Sequence, residues 1–158
     1  MTRPGKYLGI DYGSERVGLA ISDPDARLVF PFKTLYNRSQ QQVADEVAAL
    51  VAELEVVQVV VGLPLHPPDA HGQEPLSLRQ ARNFVKRLTR RVAVPVTTVD
   101  ETLTSHAARD DLADLPHMNG KDRRLVLDQH AAAHLLQRHL DMNGPPGGPA
   151  PPATADTD

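Results

Sequence analysis

Apolar and polar positions along the chain predict a group of short strands followed by alternating helices and strands. The segments Lys6–Asp11 and Arg16–Ser22 are apolar and flank a glycine-containing turn, which is the pattern of a β-hairpin. Phe30–Tyr36 predicts a third strand, in which Pro31 indicates a bend or an edge position. The first part of the sheet is therefore expected to be antiparallel.

The rest of the chain alternates between helical and strand periodicity. Apolar residues recur at helical spacing from a Ser39 cap to Leu54, and the continuous run Val56–Val61 predicts a central parallel strand. The later elements are expected to be a helix from about Leu76 to Val92, a strand from Val94 to Asp100, and helices from about Thr104 to Leu112 and Asp122 to Leu140. This order predicts a mixed five-stranded α/β sheet, three antiparallel strands and then parallel ones, with helices on both faces.

Composition limits the class of protein. The chain has 158 residues and is 41% hydrophobic, with three Phe, three Tyr and no Trp, so one domain with an aliphatic core is expected. Cysteine is absent, which excludes disulfides and thiolate metal sites. No apolar stretch approaches the roughly 20 residues of a membrane span, and the N-terminus does not resemble a signal peptide. A soluble, cytoplasmic protein without a membrane partner is expected.

The C-terminal segment differs in composition from the rest. Residues 141–158 are rich in Pro and Gly and contain three acids but no Lys or Arg. Such a segment cannot bury apolar surface, so we expect a folded domain over residues 1–140 and a disordered acidic tail over 141–158. Because the formal charge of −3 comes from that tail, the domain itself is neutral, with 17 basic and 17 acidic residues.

Three carboxylates interrupt patterns that otherwise predict burial. Asp11 ends the first apolar strand, Glu101 follows the last strand, and Asp128 lies within the apolar face of the final helix. An unpaired ionised carboxylate in a protein interior costs several kcal/mol or becomes neutral. Because the carboxyl ends of parallel strands meet at one edge of a sheet, these acids can converge and form a hard-oxygen site for a divalent cation.

Two of these assignments have alternatives. Asp128 shares a helical face with a set of small and apolar residues, namely Leu125, Ala131, Ala132, Leu135 and Leu136. The alternative is that it lies at the edge of this face and pairs with Arg124 or His130. Asp100 competes with Glu101, because neighbouring residues of a strand point to opposite faces and only one of them can lie in the site.

Basic residues on two helices are candidates for contact with phosphates. One set forms a stripe on the helix that begins at Leu76: Arg79, Arg82, Lys86 and Arg90. The other set, Lys121, Arg123 and Arg124, comes just before Asp128. An ordinary solvated helix face is the alternative interpretation of the first set.

Four motifs in order resemble those of the RuvX/YqgF family. They are Gly9-Ile10-Asp11-Tyr12-Gly13 with Arg16-Val17-Gly18-Leu19-Ala20, Val61-Gly62-Leu63-Pro64-Leu65, Val99-Asp100-Glu101 with Leu103-Thr104-Ser105, and Leu127-Asp128 with Ala131-Ala132. The chain departs from the family pattern at Thr102, where Arg is usual, and at His66, where Asn is usual. The resemblance covers about residues 6–140 and implies an RNase H-like fold similar to that of the RuvC resolvases.

The resemblance also implies an activity. In such a nuclease Asp11, Glu101 and Asp128 would be the catalytic residues and would hold one or two Mg²⁺ or Mn²⁺ ions that promote phosphodiester hydrolysis. The implied substrate is the 5′ end of pre-16S rRNA, in a pre-ribosomal particle, during ribosome biogenesis. A four-way DNA junction is the alternative substrate, and a resolvase that cuts two strands symmetrically would require a homodimer.

Two further function classes remain open from the sequence. Asp11-Tyr12-Gly13 also opens nucleotide-binding halves of the actin-like superfamily, but these need a second lobe that residues 141–158 cannot form. A non-catalytic RNA-binding assembly factor is the other class, against which the complete set of three acids argues. The choice between RNA and DNA depends on 2′-OH contacts and groove shape, which the sequence does not reveal.

Overall fold

Five strands form one sheet in the part of the chain that the computed structural model describes, residues 5–64, 70–101 and 119–143. The strands are β1 Lys6–Tyr12, β2 Arg16–Ser22, β3 Val29–Tyr36, β4 Val56–Leu63 and β5 Val96–Asp100. The helices are α1 Gln40–Glu53, α2 Leu76–Thr89 and α3 Gly120–Asn143. The sheet order is β3-β2-β1-β4-β5, with β1, β2 and β3 antiparallel and β1, β4 and β5 parallel. The predicted mixed sheet is confirmed.

Helices cover both faces of the sheet, as predicted. Leu8 and Ile10 of β1 point to one face and lie in an apolar cluster with residues of α1 and α2, including the fully buried Phe84. Tyr7 points to the other face and shares a second cluster with Leu135 of α3. Because side chains alternate along a strand, Asp11 points to the same face as Tyr7, which is the face covered by α3.

Several ends of elements differ from the prediction. α2 ends at Thr89 instead of Val92, and beyond this end the backbone N–H of Arg91 donates to the carbonyl of Leu88 three residues back, which is the bond of a tighter turn. β5 begins at Val96 instead of Val94, since Pro95 has no N–H to donate to a ladder. α3 runs to Asn143, three residues beyond the expected end at Leu140. The helix expected near residues 104–112 lies outside the described residues.

The beginning of α1 agrees with its sequence signal. The Ser39 hydroxyl accepts a hydrogen bond of 3.1 Å from the Gln42 N–H, which satisfies one of the free N–H groups of the first turn. Val43, Val47 and Val51 of this helix are buried, in agreement with the apolar spacing. None of the described helices is long and apolar enough to cross a membrane.

His139 is a titratable side chain in the core between α3 and the sheet. Its exposed fraction is 7%, its ring centre lies 6.4 Å from that of Tyr7, and Asn143 Nδ2 lies 3.3 Å from its Nδ1. Burial lowers the pKa of His139, because desolvation disfavours the imidazolium form. The folded protein therefore holds this residue neutral at pH values where the unfolded chain already binds a proton.

This difference predicts a pH-dependent contribution to stability. Above the unfolded pKa of 6.5, His139 is neutral in both states and its protonation does not reduce the free energy of unfolding. As the pH falls below 6.5 towards the lowered folded pKa, the unfolded chain binds the proton first and the free energy of unfolding decreases. We expect the free energy of unfolding of the wild type to fall relative to that of His139→Gln between about pH 7 and pH 5. Urea unfolding of both proteins across this range measures the difference, and the exposed His71→Gln serves as the control. A difference that stays constant with pH would contradict this role of His139.

Candidate active site

Asp11 lies near the carboxyl end of the middle strand of the sheet, between two glycines. Its register partners are Gly18 on β2 and Gly62 on β4. A Cβ atom on Gly18 would overlap the backbone carbonyl of Asp128, and one on Gly62 would lie 2.9 Å from the Cβ of Glu101. The two glycines therefore leave room for the other two acids on either side of Asp11, on the face covered by α3.

Glu101, the residue that follows β5, contacts Asp11 through its side chain. Its backbone N–H donates to the Leu63 carbonyl over 3.1 Å, which extends the sheet pairing by one residue and fixes the position of its side chain. Glu101 is buried, with 5% of its surface exposed, and its carboxyl group shares a hydrogen bond with that of Asp11. Asp100 is exposed instead. Of these two adjacent acids, the structure thus brings Glu101 next to Asp11.

Burial and their mutual contact shift the pKa values of both Asp11 and Glu101. Burial, the hydrogen bond to Asp11 and the negative charges of Asp11 and Asp100 raise the pKa of Glu101 to about 10. Burial also raises the pKa of Asp11, although the hydrogen bond from Glu101 opposes this increase. The physical picture is one proton held between two carboxyl groups, with Glu101 as its donor. A cation in this position would compensate the same charge.

Asp128, on the third turn of α3, is held by an arginine from the sheet. Its Oδ2 accepts a hydrogen bond of 2.8 Å from Arg16 Nε, and the Asp128 side chain is 17% exposed. Burial raises the pKa of Asp128, while the bond and the charge of Arg16 lower it and the charge of Asp11 raises it further. The hydrogen-bonded partner of Asp128 is therefore Arg16 and not Arg124 or His130, although the charge of Arg124 also lowers the pKa of Asp128.

Two of the three predicted acids are in direct contact, and the third is not. Among residues 5–64, 70–101 and 119–143, no three acidic or histidine side chains are close enough together to hold a metal ion. Asp11 and Glu101 nevertheless offer two carboxylates within hydrogen-bond contact of each other, and Asp128 lies across the neighbouring Gly18. Carboxylate oxygens without nitrogen or sulphur ligands fit Mg²⁺ or Mn²⁺ better than zinc.

The two sets of basic residues lie on different faces of the sheet. The buried residues of α2, such as Leu78 and Phe84, belong to the cluster on the face that Asp11 does not occupy. The side chains of the α2 stripe (Arg79, Arg82, Lys86 and Arg90) are exposed, and Arg82 forms a 2.6 Å ion pair with Glu74. The second set lies on the first two turns of α3, the helix that carries Asp128: Lys121, Arg123 and Arg124. The second set is therefore on the face of the acids.

The contributions of Arg16 and of the two glycines were not predicted from the sequence. Arg16 begins β2 two residues before Gly18, so the two share a face, and Gly18 stands opposite Asp11. The short turn after β1 makes this register accessible to prediction. Aligning the two strands of the hairpin residue by residue would have placed Gly18 opposite Asp11. A glycine at such a position in a strand indicates that another element packs closely there.

The sheet order and the helices on both faces are those of an RNase H-like fold. Two solved structures share it. RuvC of T. thermophilus in complex with a Holliday junction substrate matches with a TM-score of 0.55 and 13% identity, covering 89% of this chain and 99% of RuvC. The fowlpox virus Holliday junction resolvase matches with a TM-score of 0.53 and 10% identity, covering 87% and 98% of the two chains. At these identities the likeness establishes the fold.

Sequence comparison identifies the family within this class. Residues 5–142 match the model of the RuvX family, described as Holliday junction resolvase. A protein of Nitratidesulfovibrio vulgaris (strain Miyazaki F), named "Putative pre-16S rRNA nuclease", is 41% identical over 87% of this chain and 94% of its own length. One from Mycobacterium leprae (strain Br4923) with the same name is 44% identical over 87% and 73%. The chain belongs to the RuvX family of resolvase-like nucleases.

Proposed function

We propose that this protein is a divalent-metal-dependent endonuclease that matures the 5′ end of pre-16S rRNA. The observation that carries the metal-dependent chemistry is the carboxyl pair formed by the half-buried Asp11 and the buried Glu101 at the carboxyl edge of the sheet. Two relatives that are more than 40% identical over 87% of this chain carry the name "Putative pre-16S rRNA nuclease", which favours that substrate. Such a substrate would be met in the cytoplasm, in a pre-ribosomal particle.

The three acids would hold one or two Mg²⁺ or Mn²⁺ ions. When bound, such ions lower the pKa of a water molecule and neutralise charge on the leaving oxygen. The protein supplies the fixed arrangement. β1 holds Asp11 rigidly in the middle of the sheet, the backbone bond to Leu63 fixes Glu101, and close packing on Gly18 fixes Asp128. Rigid carboxylates reduce the reorganisation needed to bind the ions.

The basic residues have separate proposed roles. Lys121, Arg123 and Arg124 share a helix and a sheet face with Asp128, so we assign them to the phosphates next to the cleaved bond. The α2 stripe lies behind the sheet, where it can contact only a more distant part of a structured RNA. Phosphate contacts of both kinds add affinity that depends on salt.

A pair of double variants tests this division. We expect Lys121→Gln with Arg124→Gln to lower the rate of cleavage at subsaturating RNA by about tenfold or more, because two phosphate contacts near the site are lost. Lys86→Gln with Arg90→Gln removes the same charge from α2 and should weaken binding to long RNA while leaving cleavage of a short substrate near the wild-type rate. Binding and cleavage at two salt concentrations measure both effects. A larger loss of short-substrate cleavage in the α2 variant would contradict the assignment.

The direct test of the proposed function compares two substrates. Purified protein with Mn²⁺ is incubated with a pre-16S 5′ leader RNA and, in parallel, with a four-way DNA junction. We expect cleavage of the leader at a defined position. Cleavage of the junction alone would favour the second candidate, a Holliday junction resolvase, which the family description and the RuvC-like fold support. Binding of RNA without cleavage of either substrate would favour a non-catalytic assembly factor and overturn the proposal.

A further inference from the structure

A partly buried ion pair joins the third acid of the site to the beginning of β2. Arg16 Nε lies 2.8 Å from Asp128 Oδ2, with 25% of the Arg16 side chain and 17% of the Asp128 side chain exposed. An ionised donor and an ionised acceptor at this distance form a charge-assisted hydrogen bond, which is stronger than a neutral one and stronger still where water is partly excluded. The pair therefore constrains where the Asp128 carboxylate points.

The position of Arg16 in the sheet places its charge on the face of the acids. Arg16 lies two residues before Gly18, and Gly18 is the register partner of Asp11. The turn of α3 that contains Asp128 packs against Gly18. The guanidinium thus approaches Asp128 from the sheet, on the same face as Asp11. Another of its nitrogens, Nη1, lies 3.4 Å from Oε1 of the exposed Glu15, a contact that adds little in water.

We propose that Arg16 is a positioning residue that serves as the counter-ion of Asp128 when no divalent cation is bound, and that cation binding requires Arg16 to release it. This inference rests on the proposed metal site. Asp128 Oδ2, which accepts the hydrogen bond from Arg16, is a weaker ligand for a metal ion while that bond is in place, and two cations beside one carboxylate repel each other. Arg16 therefore holds the Asp128 carboxylate in place over Gly18, in competition with the ion.

Release would leave a guanidinium beside the site. Arginine presents several N–H donors in a planar fork that matches phosphate oxygens. A freed Arg16 is therefore suited to a phosphate of the nucleic acid substrate. The same side chain would hold the empty site together and contact the substrate in the loaded site.

The affinity for Mn²⁺, measured by electron paramagnetic resonance of the unbound ion, tests the competition. We expect Arg16→Gln to bind Mn²⁺ about fivefold more tightly than the wild type, because a competing charge-assisted bond is removed. Arg16→Lys keeps the charge and should stay close to the wild type. Arg87→Gln, on the exposed face of α2, loses the same charge on the other side of the sheet and should leave the affinity unchanged. Unchanged or weaker binding by Arg16→Gln would overturn the inference.

Two further measurements keep this result interpretable. In an Asp128→Asn background, Arg16→Gln should no longer change the Mn²⁺ affinity, because the competition acts through Asp128. In the wild type, the ¹⁵Nε–H signal of Arg16 should be protected from solvent exchange without metal and lose that protection as Mg²⁺ is added. Persisting protection at saturating Mg²⁺ would overturn the inference while leaving the metal site intact. A wild type that binds neither ion would overturn the proposed metal site together with this inference.

Discussion

Asp11→Asn is expected to reduce Mn²⁺-dependent cleavage by about a thousandfold or more, because the central ligand of the proposed site loses its charge. A loss of roughly 4 kcal/mol of transition-state stabilisation corresponds to this factor. Asn keeps the size of Asp and can still accept a hydrogen bond from Glu101, so the neighbouring packing should be preserved. Because burial raises the pKa of Asp11, removing its charge should not lower the melting temperature of the metal-free protein.

A matched control separates this effect from a general loss of acidic charge. Asp25 is exposed in the turn between β2 and β3, and Asp25→Asn makes the same chemical change away from the site. Single-turnover cleavage of the leader RNA by both variants, prepared identically, measures the difference. If Asp11→Asn cleaved at the wild-type rate after contaminating nucleases had been excluded, Asp11 would have no place in the chemistry.

Gly18→Ala is expected to destabilise the fold by about 3 kcal/mol, the upper range for an added methyl group that the surroundings cannot accommodate. The new Cβ would overlap backbone atoms of Asp128, and a helix backbone cannot turn aside as a flexible side chain can. α3 would have to move away from β2, which would also displace Asp128 from Asp11. Cleavage should therefore fall along with stability.

Gly120→Ala is the control for this substitution. Gly120 begins α3, where, among the residues that the structure describes, a Cβ would meet Arg124 Nη1 at 3.9 Å, an ordinary contact. Because alanine also has the higher helix propensity, this variant should be at least as stable as the wild type. Urea unfolding of the two variants compares them directly. Equal stability of Gly18→Ala and Gly120→Ala would show that α3 does not pack on Gly18 as described.

The sequence predicted the sheet well because its strands carry strong local signals. The β2 bounds agree with the prediction at both ends, and the apolar run from Val56 is paired on both sides, as a central strand should be. Errors occurred where tertiary context decides an end. The end of α2 and the start of β5 depend on how the chain turns between Leu88 and Pro95, and apolar periodicity does not encode that turn.

The candidate site was predictable in its acids but not in their partners. Apolar patterns in the sequence are interrupted at Asp11, Glu101 and Asp128, and such interruptions can be recognised from the sequence alone. Asp11 contacts Glu101, whereas Asp128 contacts Arg16. These pairings follow from the register of the strands and from the packing of α3 on Gly18. Pairing between elements more than 100 residues apart, such as Arg16 and Asp128, is a property of packing that periodicity does not contain.

The central claim is that Asp11 and Glu101 share a divalent cation, and anomalous diffraction from a crystal soaked in Mn²⁺ tests it most directly. We predict an anomalous difference peak within about 2.5 Å of carboxylate oxygens of both residues, at a typical ligand distance for such ions. The peak should be absent from an Asp11→Asn crystal treated in the same way. A wild-type crystal with no peak beside Asp11, at Mn²⁺ concentrations that support cleavage in solution, would contradict the account.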